Sequence, residues 1–195
     1  MEISWLLRQF AKVPRAALRR AGWDITRYPP RERFARRQEL ERKIACLTSN
    51  TVSCGVFNGL IMAEEHSWAD GDRGSKLLGL YEKELEPALN DVVCTEPDVV
   101  INIGCAEGYY ALGLARLLPN AKVFAFDIDQ RAQEICECGR QLNKLDGTFE
   151  VRGYCSAEEL QNLTQNSKRP FALIDCEGGE RDCFCQEVMI LLTQE

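Results

Sequence analysis

Histidine is nearly absent from this chain: His66 stands alone among 195 residues. No Ser–His–Asp array can be argued around it, and no histidine-rich metal cluster. Its side chain suits acid–base work at neutral pH, but a lone histidine before a loop reads first as incidental. No run of apolar residues reaches the roughly 18 needed to span a bilayer. The opening MEISWLLRQFAKV is interrupted by Arg8 and Lys12 and is not followed by a small-residue cleavage site, so a signal peptide is not expected and a cytoplasmic location is. There is no internal repeat and no low-complexity tract.

Cysteine is plentiful, with ten residues, yet no C-x-x-C pair occurs. The commonest zinc-binding spacing is therefore missing. Two C-x-C pairs, Cys136/Cys138 and Cys183/Cys185, take its place. On a helix, residues i and i+2 point to different faces, so Cys136 and Cys138 should diverge. Without a secretion signal a disulfide framework is not expected. Most of the cysteines read as small buried hydrophobes.

Charge is distributed unevenly. Residues 1–45 hold twelve bases against five acids, a net +7, and the rest of the chain carries −13. A basic arm of this kind suits an acidic surface, the protein's own body included. Aromatic residues do not interleave with the bases as a single-strand nucleic-acid platform requires, so no nucleic-acid partner is indicated.

The pattern divides the chain into a basic helical extension (1–48), a strand, loop and helix lead-in (49–97), and a core (98–195). Trp5, Leu6, Phe10, Val13 and Ala17 recur at helical spacing. Tyr28-Pro29-Pro30 breaks the pattern, and residues 31–48 read as a charged helix. Residues 49–62 suggest a short strand or hairpin, with Gly55, Asn58 and Gly59 as turn residues. Residues 67–74 read as a loop. Residues 75–90 read as one helix with Leu77, Leu78, Tyr81 and Leu85 inward, ended or bent by Pro87.

From residue 98 the pattern alternates. Strands are predicted at Val99–Ile103, Lys122–Asp127, Thr148–Arg152 and Phe171–Asp175. Helices are predicted at Tyr109–Leu118, Asp129–Leu145 and Ala157–Gln165. Such alternation specifies an α/β fold, a doubly wound, mostly parallel sheet with helices on both faces.

The candidate site lies at the strand C-terminal ends, where open α/β sheets bind ligands. Val99–Ile103 runs into Gly104-Cys105-Ala106-Glu107-Gly108, and a helix opens at Tyr109. Small residues allow a tight turn, and a helix N-terminus offers unpaired N–H groups. A dinucleotide turn, G-x-G-x-x-G, would need glycine at positions 106 and 109. The chain has Ala106 and Tyr109, which argues against a nicotinamide-dependent oxidoreductase. Gly104, Ala106 and Gly108 instead make G-x-A-x-G, which resembles the G-x-G-x-G turn of class I S-adenosylmethionine-dependent methyltransferases. Asp127 ends the second strand, nineteen positions after Gly108, where an acid can accept from ribose hydroxyls. Asp129 fits the role of helix cap better than Asp127 does. The fourth strand ends in Asp175-Cys176-Glu177-Gly178-Gly179-Glu180, which places carboxylates at the same sheet edge.

Five segments together resemble the FkbM-type methyltransferase family: GWDITRYPP (22–30), SWADGDRGSKLLGLYEKEL (67–85), VVINIGCAEGYYALGLA (99–115), VFAFDID (123–129) and LIDCEGGE (173–180). The D-x-E-G-x-E pattern of Asp175, Glu177, Gly178 and Glu180 is the most specific. The resemblance implies a Rossmann-like core, S-adenosylmethionine as cofactor, and methylation of hydroxyl groups on a small molecule or glycan. It implies that Gly104, Ala106 and Gly108 line the methionine and ribose, that Asp127 and Ile128 border the ribose, and that Ser156 lies near the adenine. It places Asp175 and Glu177 at the reaction centre as the catalytic pair.

Two departures stand out. The acid usual on the first strand is Asn102 here, an amide without full charge, and Glu107 is the residue that would compensate. Four strands are readable where a class I domain has seven, so a core truncated after strand four is expected, with an exposed apolar edge open to a partner or to self-association. An inactive methyltransferase-like binding module, or a gene fragment, is accordingly the alternative reading.

Overall fold

A computed structural model describes residues 30–65 and 72–176. The expected helix at 3–21, His66 and Trp68, most of the 67–74 loop, Glu177 and the Cys183/Cys185 pair lie outside the described residues. The chain divides into two compact units, residues 1–38 and 39–195.

Helix α1 spans Pro30–Thr48, as the charged pattern predicted. Proline suits the first turn, where its missing N–H has no partner to lose. Ser49 and Asn50 then take positive φ of 51° and 55°, and the Asn50 N–H returns to the Ala45 carbonyl at 3.0 Å. This left-handed exit satisfies a terminal carbonyl and stops the helix. The hairpin expected at 49–62 is reduced to one antiparallel bridge, Thr51 to Ile61.

The single helix expected at 75–90 is broken in two. Helix α2 covers Arg73–Leu77, a 3-10 turn covers Lys83–Leu85, and α3 covers Glu86–Thr95. Pro87 lies at the start of α3 and does not end a helix. Gly79 makes the break: its φ is +67°, and an added Cβ would lie 1.9 Å from the Cys54 carbonyl oxygen. Leu77 is fully buried as expected, but Leu78 and Leu85 are 36% and 39% exposed.

The core follows the predicted alternation closely. Strands β1 (Val99–Ile103), β2 (Lys122–Phe126), β3 (Phe149–Arg152) and β4 (Pro170–Ile174) alternate with helices α4 (Tyr109–Leu117), α5 (Gln130–Leu142) and α6 (Ala157–Thr164). The four strands form one parallel sheet in the order β3-β2-β1-β4. That is the first part of the doubly wound Rossmann-like order. VVINI and KVFAF are near-continuous apolar runs because both faces of a parallel sheet are covered.

One face packs Val100, Val123, Ala125 and Phe149 against α4, α5 and segment 52–62. Leu112 and Leu114 of α4 are fully buried there, each contributing about 1.5–3 kcal/mol. The other face packs Ile101, Ile103, Phe124 and Phe126 against Cys155 and Leu160. The helices after β1 and β3 thus cover opposite faces, so the topological switch point, where open α/β sheets hold their ligand crevice, falls between the C-terminal ends of β1 and β4. Among the described residues β4 pairs only with β1, and no helix is long and apolar enough to cross a membrane.

The cysteines correct the sequence reading in part. Cys105, Cys136 and Cys155 are buried, whereas Cys46, Cys54, Cys94 and Cys138 are exposed. Cys136 and Cys138 do diverge, because 3.6 residues per turn places them on different sides of α5.

Candidate functional site

Five residues join β1 to α4, and three have positive φ: Gly104 at 76°, Ala106 at 47° and Gly108 at 88°. The N–H groups of Gly104 and Cys105 both donate to the Phe126 carbonyl, at 2.8 and 2.9 Å. The Gly108 N–H donates to the Cys105 carbonyl at 2.8 Å. Gly108 is the N-cap of α4, so the turn delivers the chain directly into a helix N-terminus.

The two glycines are required by the protein's own packing. A Cβ on Gly104 would lie 1.8 Å from the carbonyl oxygen of Asp175, and one on Gly108 would lie 2.6 Å from Cys136 Sγ. The close approach that small residues permit at 104 and 108 is therefore first an approach of β4 and α5. Ala106 is the half-buried apex, and its left-handed backbone costs an alanine about 1–2 kcal/mol.

Asp127 offsets that cost. Its Oδ2 accepts the Ala106 N–H at 2.8 Å, and its Oδ1 accepts the Asp129 N–H at 2.9 Å. A carboxylate offers about four acceptor sites, so capacity is left for a ligand hydroxyl. Asp129 takes the capping role expected of it: its side chain accepts the Arg131 N–H at 2.9 Å and begins α5. Ile128, between them, is 81% exposed.

Asn102 lies on β1 two residues before the turn and is only 1% exposed. Its Nδ2 donates to the Leu173 carbonyl on β4 at 3.3 Å, and its Oδ1 has no hydrogen-bond partner among the described residues. Buried acceptors of this kind are rare and need an explanation.

Glu107 is 5% exposed and faces a lysine that sequence reasoning did not single out. Lys76 Nζ of α2 reaches Glu107 Oε1 at 2.6 Å and Asp72 Oδ2 at 2.8 Å. Burial pulls the Lys76 ammonium down, but Glu107 and Asp72 outweigh it and hold it above its ordinary value. The ammonium also lies 4.7 Å from the Tyr81 ring centroid and 6.0 Å from that of Tyr109. Burial pushes both phenols up to about 12, so they present neutral rings to the cation. The only sequence signal was the i, i+4 spacing of Asp72 and Lys76.

Asp175 is brought to the turn. Its N–H donates to the Ile103 carbonyl at 2.9 Å, extending the β4 ladder to the crevice, and its side chain is exposed. Ser156 serves the fold directly. It is the N-cap of α6, and its Oγ accepts the Glu159 N–H at 3.1 Å. It also lines an open groove of about 390 Å³ with Arg152, Glu158, Glu159, Asn162 and Leu163.

No protein-family profile matches the chain. A stretch of 61 residues is 36% identical to a release factor glutamine methyltransferase of Flavobacterium psychrophilum, covering 31% of this chain and 21% of that protein. The chain thus spans about a fifth of that relative's length. Among solved structures, an O-methyltransferase from Bacillus cereus in complex with SAH aligns with a TM-score of 0.45 and 16% identity, over 78% of this chain and 61% of that one. Coclaurine N-methyltransferase bound to N-methylheliamine and SAH aligns with a TM-score of 0.36 and 20% identity, over 78% of this chain and 50% of that one.

Proposed function

We propose that the crevice beside Gly104–Gly108 binds S-adenosylmethionine and that the chain serves methyl transfer to a hydroxyl of a small-molecule or glycan acceptor. The observation that carries this reading is the buried Oδ1 of Asn102, two residues before the turn, which has no hydrogen-bond partner among the described residues. An acceptor kept dry and unsatisfied costs about 1–3 kcal/mol, a cost that a ligand N–H would relieve. Asp127 supports the reading from the second strand, and the local match to a glutamine methyltransferase supports the reaction class. The FkbM type rests on the motif resemblance around Asp175 and Glu177.

S-adenosylmethionine, when bound, supplies an electrophilic methyl group on a sulfonium, so the protein's work is orientation. Asn102 accepts a polar hydrogen of the ligand tail. Asp127 holds a ribose hydroxyl while fixing the Ala106 N–H. Ile128 covers an apolar face beside the ribose. Asp175, exposed at the end of β4, takes a proton from the acceptor hydroxyl, with Glu177 as the second candidate base.

Thermal-shift titration tests this against the nicotinamide alternative. S-adenosylhomocysteine is expected to raise the melting temperature with saturation, and a nicotinamide dinucleotide is not. Stabilisation by the dinucleotide alone would reject the proposal.

A further inference from the structure

Glu107 lies inside the turn, between Ala106 and Gly108, yet its carboxylate points into the protein and meets a buried ammonium 31 residues away in sequence. Both side chains are nearly dry, at 7% exposure for Lys76 and 5% for Glu107. Removing two charges from water carries a large desolvation penalty for each ion. A well-packed apolar pair would fill the same space without that penalty, so stability alone is a weak reason for an ion pair here. Direction is what an apolar pair does not provide. A charge-assisted hydrogen bond of 2.6 Å fixes where the Glu107 side chain points, and hence the orientation of the peptide planes on either side of it.

The turn is gripped from two sides. Asp127, on the second strand, holds the Ala106 N–H. Lys76, on α2 of the lead-in segment, holds the next side chain along. The lysine is itself fixed by Asp72 at 2.8 Å and by the Tyr81 face. Arg73, one turn of chain away, is anchored on Asn50 Oδ1 at 2.7 Å, which ties α2 to the exit of α1.

We propose that Lys76 is a positioning residue of the cofactor turn, acting through Glu107. The lysine does not touch the cofactor; it sets the geometry of the backbone that does. This inference rests on the proposed reading of the crevice as an S-adenosylmethionine site.

The test is calorimetric titration of S-adenosylhomocysteine into the wild-type chain, Lys76→Met, Lys76→Arg and the double variant Lys76→Met/Glu107→Leu. Lys76→Met leaves a buried carboxylate alone and is expected to fold poorly. The double variant removes both dry charges and leaves the Asp72 carboxylate, which reaches water at 27% exposure. It is expected to melt near the wild-type temperature. Its affinity for S-adenosylhomocysteine is expected to fall tenfold or more, with Lys76→Arg retaining most of the wild-type affinity. A double variant that is folded and binds within twofold of wild type overturns the proposal, because the pair is then only structural. A wild-type chain that binds no S-adenosylhomocysteine overturns the reading of the crevice and this proposal with it.

Discussion

The Asp127 carboxylate accepts the N–H of Ala106 at 2.8 Å, joining the end of β2 to the apex of the β1–α4 turn across 21 residues. Its other oxygen accepts the Asp129 N–H at 2.9 Å. One side chain thus shapes the turn and starts the descent into α5. Replacing Asp127 with alanine releases both N–H groups. S-adenosylhomocysteine binding is expected to weaken at least tenfold, since charge-assisted hydrogen bonds of this kind are worth about 1.5–3 kcal/mol. Calorimetric titration of the folded variant checks it.

Ala106 holds a backbone conformation that glycine adopts freely. Ala106→Gly is expected to leave cofactor affinity within twofold and to change stability by less than about 1 kcal/mol, the strain relieved being offset by greater chain entropy. Gly104→Ala is the contrasting case. Its new methyl group would meet the Asp175 carbonyl at 1.8 Å, and its φ is +76°. A loss of about 3 kcal/mol or more is expected in urea unfolding, because backbone of β4 must shift.

Ile128 exposes 81% of its surface beside Asp127. Ile128→Ser removes no internal packing and is expected to leave the melting temperature within about 2 °C, a change of under about 0.5 kcal/mol. Cofactor affinity is expected to fall three- to tenfold through lost apolar contact. Parallel melting and binding measurements separate the two effects.

Asp98 fixes the far end of the sheet. Its carboxylate accepts the Ser167 hydroxyl and the N–H groups of Lys168 and Arg169, the latter two both at 2.9 Å. Those bonds, the Ser167 hydroxyl first, hold its carboxyl well below the usual aspartate range. A depressed folded-state value stabilises the protein above the unfolded value, near 3.9, and this contribution is lost as pH falls from there toward the folded value. Asp98→Asn is expected to cost about 1 kcal/mol at pH 7, allowing for solvent screening, and to flatten the stability profile below about pH 4. Urea midpoints across that pH range check both.

The sheet was legible because each strand is a short apolar run and each helix has a recognisable start. Val99–Ile103 matches its pattern to the residue, and Asp129 was separable from Asp127 because a side chain two residues before Arg131 is placed to cap. The 75–90 segment was not legible. Its leucines have helical spacing, but the constraint that breaks the helix is the Gly79 contact with Cys54, which local pattern does not contain. The cysteines misled for a related reason: small apolar character predicts burial on average, and Cys54 and Cys138 lie at exposed positions. Lys76–Glu107 was invisible because neither residue looks buried by type, and only the packing of α2 on the turn brings them together. Gly104 and Gly108 stand out in the sequence as ligand-cradling residues, but β4 and α5 demand them before any ligand does.

Asn102, Ala106 and Asp127 are the residues proposed to border S-adenosylmethionine. Calorimetric titration of S-adenosylhomocysteine into the wild-type chain and into Asp127→Ala tests that proposal most directly. Saturable binding to one site per chain, weakened at least tenfold in the variant, is the expected result. No heat of binding in the wild type, or equal affinity in both proteins, would contradict it.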